Sequence, residues 1–220
     1  MTNRYARSVD ENAFFQKGAV SWRLDPLSSR VLVDVLGRVE WHSWPDDAFA
    51  QKVFSKAPAG TFVSNSPFGS MSDDDKKLVL STVNESLNDR VLFPILSRRG
   101  VFEAVSVEVQ NGALDWSWHQ DALSKPQGHN GDHFLLLYFG EPSWEPEWGG
   151  AFAYGERDLQ GEWDVEVSPP QGDVSRVFPV HRTAILGWNE NPRLIHRSEP
   201  LLAQKDRKMF ILPVRHRARF

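Results

Sequence analysis

Apolar residues recur along the chain with two different periods, and the period changes near Gly100. From Pro26 to about Val39, Leu27, Val31, Val35 and Val39 fall at every fourth position, and from about 73 to 90 Leu78, Val79, Val83 and Leu87 make a second stripe. Both patterns place apolar side chains on one face of an α-helix. Ser72, three residues ahead of Asp75, offers the second helix a capping-box-like start with Asp in the place of Glu. Residues 1 to 25 are polar with scattered aromatics and suit a strand or a partly ordered arm. The stretch SKAPAGTFVSNSPFGSM, from Ser55 to Met71, is rich in Gly, Pro and Ser. It is expected as a long loop, either a lid or a plain connector.

After Gly100 the alternation has the period of a strand. VFEAVSVEVQ alternates apolar with polar residues, Asn111-Gly112 is a tight-turn signal, and ALDWSWH resumes an extended pattern, so a hairpin is expected. HFLLLYFG (133 to 140) reads as a buried strand, GGAFAYG as a glycine-flanked one, VEVSP, RVFPVH and TAILGW as further strands, and RKMFILPV as the last before a short basic tail. Helices come first and short, closely spaced strands follow, rather than the two alternating. That order predicts a mainly β fold with N-terminal helices, a sandwich or barrel braced on one side.

Composition narrows the chemistry. With 220 residues the chain can bury one core and carry a helical annex, so a single domain over 1–220 is expected, with 1–99 a largely helical support for a β core over 100–220. The net charge of -4 gives no basic field, so nucleic acid is not the expected partner, and the tail RHRARF is too short to change that. No apolar run approaches the roughly 18 to 20 residues that span a bilayer, and the opening MTNRYARSVDENAFF lacks the apolar centre of a signal peptide. A cytoplasmic protein with no membrane partner is expected. The absence of cysteine excludes disulfides, thiolate zinc sites, iron–sulfur clusters and cysteine nucleophiles, so any metal must be held by His and carboxylates.

One pair of that kind stands in the β half. His119 and Asp121 lie two residues apart, and an extended backbone projects both to one side. Alone this is weak, since a chain with seven His can produce a His-x-Asp by chance and a surface hydrogen-bonded pair would explain it. The context carries more. His119-x-Asp121 precedes a polar loop, an apolar strand ending in Leu137-Tyr138-Phe139, Trp144, the pair Gly149-Gly150, Pro179 ahead of Ala184-Ile185-Leu186, then His196 with Glu199-Pro200, and Arg207 opening the last strand. In that order the sequence resembles the iron(II)/2-oxoglutarate-dependent dioxygenase superfamily, in its prolyl-hydroxylase-like branch, over roughly residues 101 to 215.

The resemblance implies a double-stranded β-helix (a jelly roll, cupin-like) braced by helices, with Fe(2+) held by His119, Asp121 and His196. Two imidazoles and a carboxylate on one face of an octahedron leave three adjacent positions open, an arrangement suited to non-haem iron(II). In the family 2-oxoglutarate fills two of these and O2 the third, while ascorbate often stimulates. The far carboxylate of the cosubstrate needs a permanently charged, fork-shaped partner, and Arg207 matches, a residue or so beyond the usual spacing. Lys208 adjoins it. Strand alternation favours Arg207, which shares a face with Met209 and Ile211, whereas Lys208 shares one with Phe210 and Leu212. Tyr138 matches a position that assists the same carboxylate, or is an ordinary core tyrosine, and Leu136 would face the same cavity.

Catalysis in such a site is iron-centred, with no separate acid or base. The retained carboxylate at Asp121 favours hydroxylation of an unactivated C–H bond over halogenation, while desaturation, cyclisation and epimerisation use the same triad. Trp116 and Trp118 beside His119, and Arg193 and Arg197 beside His196, either offer a substrate rim with aromatic walls and a carboxylate clamp or are core tryptophans and solvated arginines. Such a rim would suit an amino-acid-like small molecule or a peptidyl residue. Nucleic-acid demethylation, or a catalytically silent β-helix binding a small acid, are the alternatives. His129, His133 and His181 are further imidazoles, and a rival triad through His133 lacks an acid at the family spacing.

Overall fold

The computed structural model describes residues 8–112, 116–120, 132–157, 168–170, 172–191 and 193–218. In chain order these form α1 (Glu11–Lys17), β1 (Ala19–Arg23), α2 (Pro26–Leu36), β2 (Glu40–His42), α3 (Asp47–Lys56), β3 (Phe68–Ser70), α4 (Asp73–Leu87), α5 (Leu96–Arg99), β4 (Gly100–Ala104) and β5 (Glu108–Asn111). Then follow β6 (His133–Tyr138), β7 (Phe152–Glu156), β8 (Ser175–Val177), β9 (Thr183–Trp188), β10 (Leu194–Ser198) and β11 (Lys208–Ala218). The expected strand VEVSP falls largely outside the described residues, as does the polar loop after Asp121.

Both expected helices form, each from an identifiable cap. Asp25 accepts from the N–H groups of Leu27 and Ser28, and Pro26 supplies a preset φ in the first turn of α2. Starting there, the helix turns Leu27 outward, 76% exposed, and buries Leu32, Val35 and Leu36 instead of the expected every-fourth stripe. Ser72 accepts from the Asp75 N–H to start α4, whose Val79, Val83 and Leu87 are buried. Arg38, just past α2, pairs with the same Asp75 and ties the two helices together. Helix α3 escaped the periodicity because it buries only Ala50. The expected loop from Ser55 is shorter than its composition suggests, since Phe68–Ser70 pairs with both β2 and β5.

The strands make two antiparallel sheets. The large one runs β1-β9-β6-β11-β5-β3-β2, with β4 also on β11, and the small one runs β10-β7-β8. From β6 onward the chain goes large, small, small, large, small, large, crossing repeatedly between facing sheets as a double-stranded β-helix does. Residues 8–99 hold all five described α-helices and also β1, β2 and β3, which extend both ends of the large sheet.

The expected hairpin across Asn111-Gly112 does not form. Both edges of β5 are taken, one by β11 and one by β3. At Gly112, with φ 104, the chain leaves the large sheet, and by His119 it runs beside β10 in the small one.

The two faces of the large sheet have different roles. Leu135, Leu137, Ala184, Leu186, Phe210, Leu212 and Val214 pack with the helices in one apolar core. Their alternate neighbours Phe134, Tyr138, Ile185 and Met209, with Leu136 and Ile211, face the small sheet's Phe152, Tyr154 and Leu194. The candidate site lies in that second, inter-sheet layer.

Candidate active site

Strand β10 delivers His196, and an isolated antiparallel bridge delivers His119 beside it. Each backbone N–H donates to the other's carbonyl at 3.0 Å, so the two residues are paired directly and project to the same side. Their imidazole centroids are 4.4 Å apart. The Nδ1 of His119 is 2.8 Å from the Ser117 carbonyl. A carbonyl only accepts, so Nδ1 carries the proton and the Nε2 lone pair is left as the ring's basic site, the tautomer a metal needs. His196 is buried, with the rings of Phe134 and Phe152 at 4.9 and 5.3 Å. Asp121 lies outside the described residues, among which no group of three ligand-type side chains gathers.

At another point of the same layer sits Arg207, 0% exposed. Its Nη2 donates to the Tyr138 hydroxyl at 2.9 Å and to Ser198 Oγ at 3.3 Å, and its Nη1 to the Gly112 carbonyl at 3.1 Å. The guanidinium carbon lies 4.8 Å from the Tyr138 ring centroid. Nε meets no acceptor, and no carboxylate pairs with the guanidinium among the described residues. Burial pulls the pKa of Arg207 down and pushes that of the Tyr138 phenol up, the latter opposed by the adjacent cation. A buried cation with no anionic partner is costly, and a fork with unused donors fits an incoming carboxylate.

The surroundings explain several of the scattered motif residues. Asn111 Oδ1 accepts from the Arg207 N–H at 2.9 Å, and Gly112 N donates to the Arg207 carbonyl at 3.1 Å, so the Asn-Gly pair seats the arginine. Gly149 and Gly150 both have positive φ, 66° and 71°, and a Cβ on Gly149 would stand 2.2 Å from the Pro200 carbonyl oxygen. Gly150 N donates to that oxygen at 2.8 Å, and the Trp144 indole N–H donates to the Gly149 carbonyl at 3.0 Å. Trp144, the glycine pair and Pro200 thus form one wall, against which the Arg207 stem packs beside Gly150.

Lys208, the neighbouring candidate, points away: its Nζ lies 3.2 Å from Asp206 and 5.6 Å from the Trp41 ring centroid. Leu136 and Ile211, directly paired across β6 and β11, remain partly exposed on the inter-sheet face although both strands are central.

The structure does not bring the four rim candidates together. Trp118 and Arg197 pack on each other, guanidinium carbon 4.9 Å from the ring centroid, with Trp118 against Ile195 and Ala153 on the outer face of the small sheet. Each is one residue from a site histidine, and one step along an extended chain reverses the side-chain direction. Arg193 is exposed and borders a cleft with Phe15, Glu156 and Trp188, while Trp116 is buried. His133 also lies off the site, beside the Phe14 and Trp188 rings on the helix-facing side, and His181 packs on Phe139. Among the described residues the rival triad through His133 is therefore not assembled; His129 lies outside them.

Sequence reasoning missed Ser198, Phe152 and Tyr154. Ser198 stands two residues after His196, so it shares its face and reaches Arg207. Phe152 and Tyr154 are the cross-strand partners of Ser198 and His196. Counting by twos from each histidine and reading across the ladder would have found all three.

No family model and no curated protein matches the sequence. Solved structures do match the fold, a double-stranded β-helix that this chain shares with 2-oxoglutarate-dependent oxygenases. The chain is similar to an oxidoreductase of the 2OG-Fe(II) oxygenase family from Burkholderia pseudomallei, at 11% identity and TM-score 0.54, over 92% of this chain and 86% of that one. It is similar also to the alpha-ketoglutarate-dependent carbocyclase SnoK from nogalamycin biosynthesis, at 11% identity and TM-score 0.57, over 96% and 83%. The epimerase SnoN from the same biosynthesis matches at 11% identity and TM-score 0.50, over 92% and 80%. At such identities the likeness is one of fold. No helix among the described residues is long and apolar enough to cross a membrane.

Proposed function

We propose that this chain is an iron(II)- and 2-oxoglutarate-dependent oxygenase, working as one unit in which residues 1–99 brace the core over 100–220. The observation that carries the reading is the buried Arg207, which pairs with no carboxylate among the described residues, in the same inter-sheet layer as the paired His119 and His196. The donor set fits the metal: two imidazoles in contact, one with its tautomer set by Ser117, and a carboxylate two residues on in the sequence at Asp121. The fork of Arg207, with the hydroxyls of Tyr138 and Ser198, would hold the far carboxylate of 2-oxoglutarate.

Iron(II) and 2-oxoglutarate together supply the activation of O2, with decarboxylation to succinate and CO2 balancing oxidation of a substrate C–H bond. The chain's residues bind, orient and keep dry. Tyr138 is a neutral phenol, held so more firmly by burial, and can donate a hydrogen bond to a carboxylate oxygen while accepting one from Arg207. Leu136, Ile185 and Ile211 give the layer apolar walls. The carboxylate at position 121 favours hydroxylation. A second outcome, ring closure or epimerisation, gains support from SnoK and SnoN as neighbours in fold. With Trp118 and Arg197 turned outward, the carboxylate clamp that suggested an amino acid loses its basis. The substrate is instead read as a small molecule or peptidyl residue that presents an uncharged part to the site.

Anaerobic addition of iron(II) and 2-oxoglutarate should give a weak visible charge-transfer band, and exposure to air should release succinate. His119→Ala and His196→Ala should each abolish the band. A wild-type protein that forms no band and releases no succinate would sink the assignment; one that forms the band yet yields no succinate with any candidate substrate would be the silent acid-binding β-helix.

A further inference from the structure

Gly187 lies on β9 directly across from Phe134 of β6 on one side and Ala19 of β1 on the other. A Cβ placed there would stand 2.0 Å from Cζ of the Phe134 ring and 2.3 and 2.7 Å from its two Cε atoms. Carbon atoms rest about 3.5–4.0 Å apart, so the phenyl ring occupies the space a side chain at 187 would fill. The backbone makes no such demand, because Gly187 is not among the residues with positive φ. Glycine is needed here as a seat for its neighbour's ring.

From that seat Phe134 reaches across to the small sheet. Its ring centroid is 4.9 Å from that of His196 and 5.7 Å from that of Phe152, and Phe152 is 5.3 Å from His196. All three are buried, and His196 meets His119 at 4.4 Å. A methyl group at 187 would have to push the phenyl ring off β9 by about 1.5 Å to restore ordinary contact. On its free side the ring meets His196 and Phe152, and Pro213 of β11 is its partner in the sheet. The displacement therefore passes to the imidazole.

The geometry points to Gly187 and Phe134 as positioning residues for His196: the bare Cα seats the phenyl ring, and the ring fixes the imidazole beside His119. This rests on the reading that the two histidines hold a metal. The test uses the full chain, metal-free, titrated with cobalt(II) alone and followed by its visible d–d absorption, with thermal unfolding measured in parallel. Loss of an outer support costs about 10- to 100-fold in metal affinity. Gly187→Ala should fall in that range with an altered band shape, and Phe134→Leu should weaken binding by roughly tenfold. In the Phe134→Leu background the smaller side chain frees the space, so adding Gly187→Ala should change affinity by no more than about twofold.

Wild-type affinity and band shape in a folded Gly187→Ala variant would overturn the inference, as would an equal loss from Gly187→Ala in both backgrounds. If Gly187→Ala alone does not fold, a folded double variant that binds like Phe134→Leu upholds it, and Phe134→Leu with unchanged affinity overturns it. Wild-type protein that takes up no cobalt defeats the metal reading, and this inference with it; cobalt uptake by wild type with unaffected variants defeats this inference alone.

Discussion

The two faces of strands β6 and β11 are built from the same kinds of residue and do opposite things. Toward the helices, Leu135, Leu137, Phe210 and Leu212 are sealed by α2 and α4. Toward the small sheet, Leu136 and Ile211 stay partly exposed, and the same rows carry Tyr138 and lead to the buried Arg207. One face buries its side chains against the helices and holds the fold together. The other leaves side chains partly exposed and faces unused donor capacity at Arg207 and two adjacent imidazoles. Stability and chemistry are thus separated by single-residue steps along one strand, and substitutions can test the separation.

The largest effect is expected at Arg207. Arg207→Met keeps an apolar stem but deletes the fork, which should cost about 2 to 4 kcal/mol, or roughly 30- to 1000-fold, in 2-oxoglutarate affinity. Metal uptake at the His pair should change little. Lys208→Met, one step along, should leave both nearly unaltered, because its ammonium already rests near Asp206. Calorimetric titration of the metal-loaded protein with the cosubstrate separates the two variants, and a larger loss from Lys208→Met would reverse the assignment of the faces.

Leucine truncations probe the same boundary in stability. Leu137→Ala opens a hole in a closed core and should cost about 2–5 kcal/mol. Leu136→Ala truncates a side chain that is already partly exposed and should cost about 1 kcal/mol, while altering cosubstrate binding. Urea unfolding of the two variants decides it; equal losses would mean that the inter-sheet face is packed as tightly as the other.

How much of this was legible beforehand follows from which interactions are local. Helix α4 was readable from Ser72 and its stripe, and the strands from their alternation, because each signal sits within a few residues. The hairpin at Asn111-Gly112 failed because the competition for β5 comes from β3 and β11, far away in sequence. A turn signal cannot know that both edges are taken. Alternation put Arg207 and Lys208 on opposite faces, and the structure turns their side chains to opposite sides. The same rule sends Trp118 and Arg197 to the outer face, and a rim drawn from sequence adjacency to the histidines overlooked it. Ser198 was within reach of that rule too, whereas the seating of Phe134 on Gly187 depends on strand register, which pairs residues no local pattern connects.

The smallest expected effect lies at the end of the helix-facing row, where β11 continues past Val214 to His216. Its ring lies tilted 4.6 Å from that of Phe102 and edge-on 6.1 Å from that of His133, with Asp132 accepting from its backbone N–H at 2.9 Å. Burial, and then the neighbouring His133, lower its pKa below the usual 6.5, with the Leu96 backbone and the Asp132 charge opposing. A folded-state pKa below the unfolded one means that protons bind preferentially to the unfolded chain. The stabilisation is therefore complete above pH 6.5 and is lost as pH falls from there through the folded-state value. His216→Gln keeps a polar side chain and removes the proton site, so the wild-type decline in urea midpoint between about pH 7.5 and 5.5 should become shallower in the variant. The site histidines are common to both proteins and cancel in that difference. Because His216 is only partly buried, the change should be smaller than that from Leu137→Ala, and a steeper decline in the variant would show that the helix-facing side welcomes the charge after all.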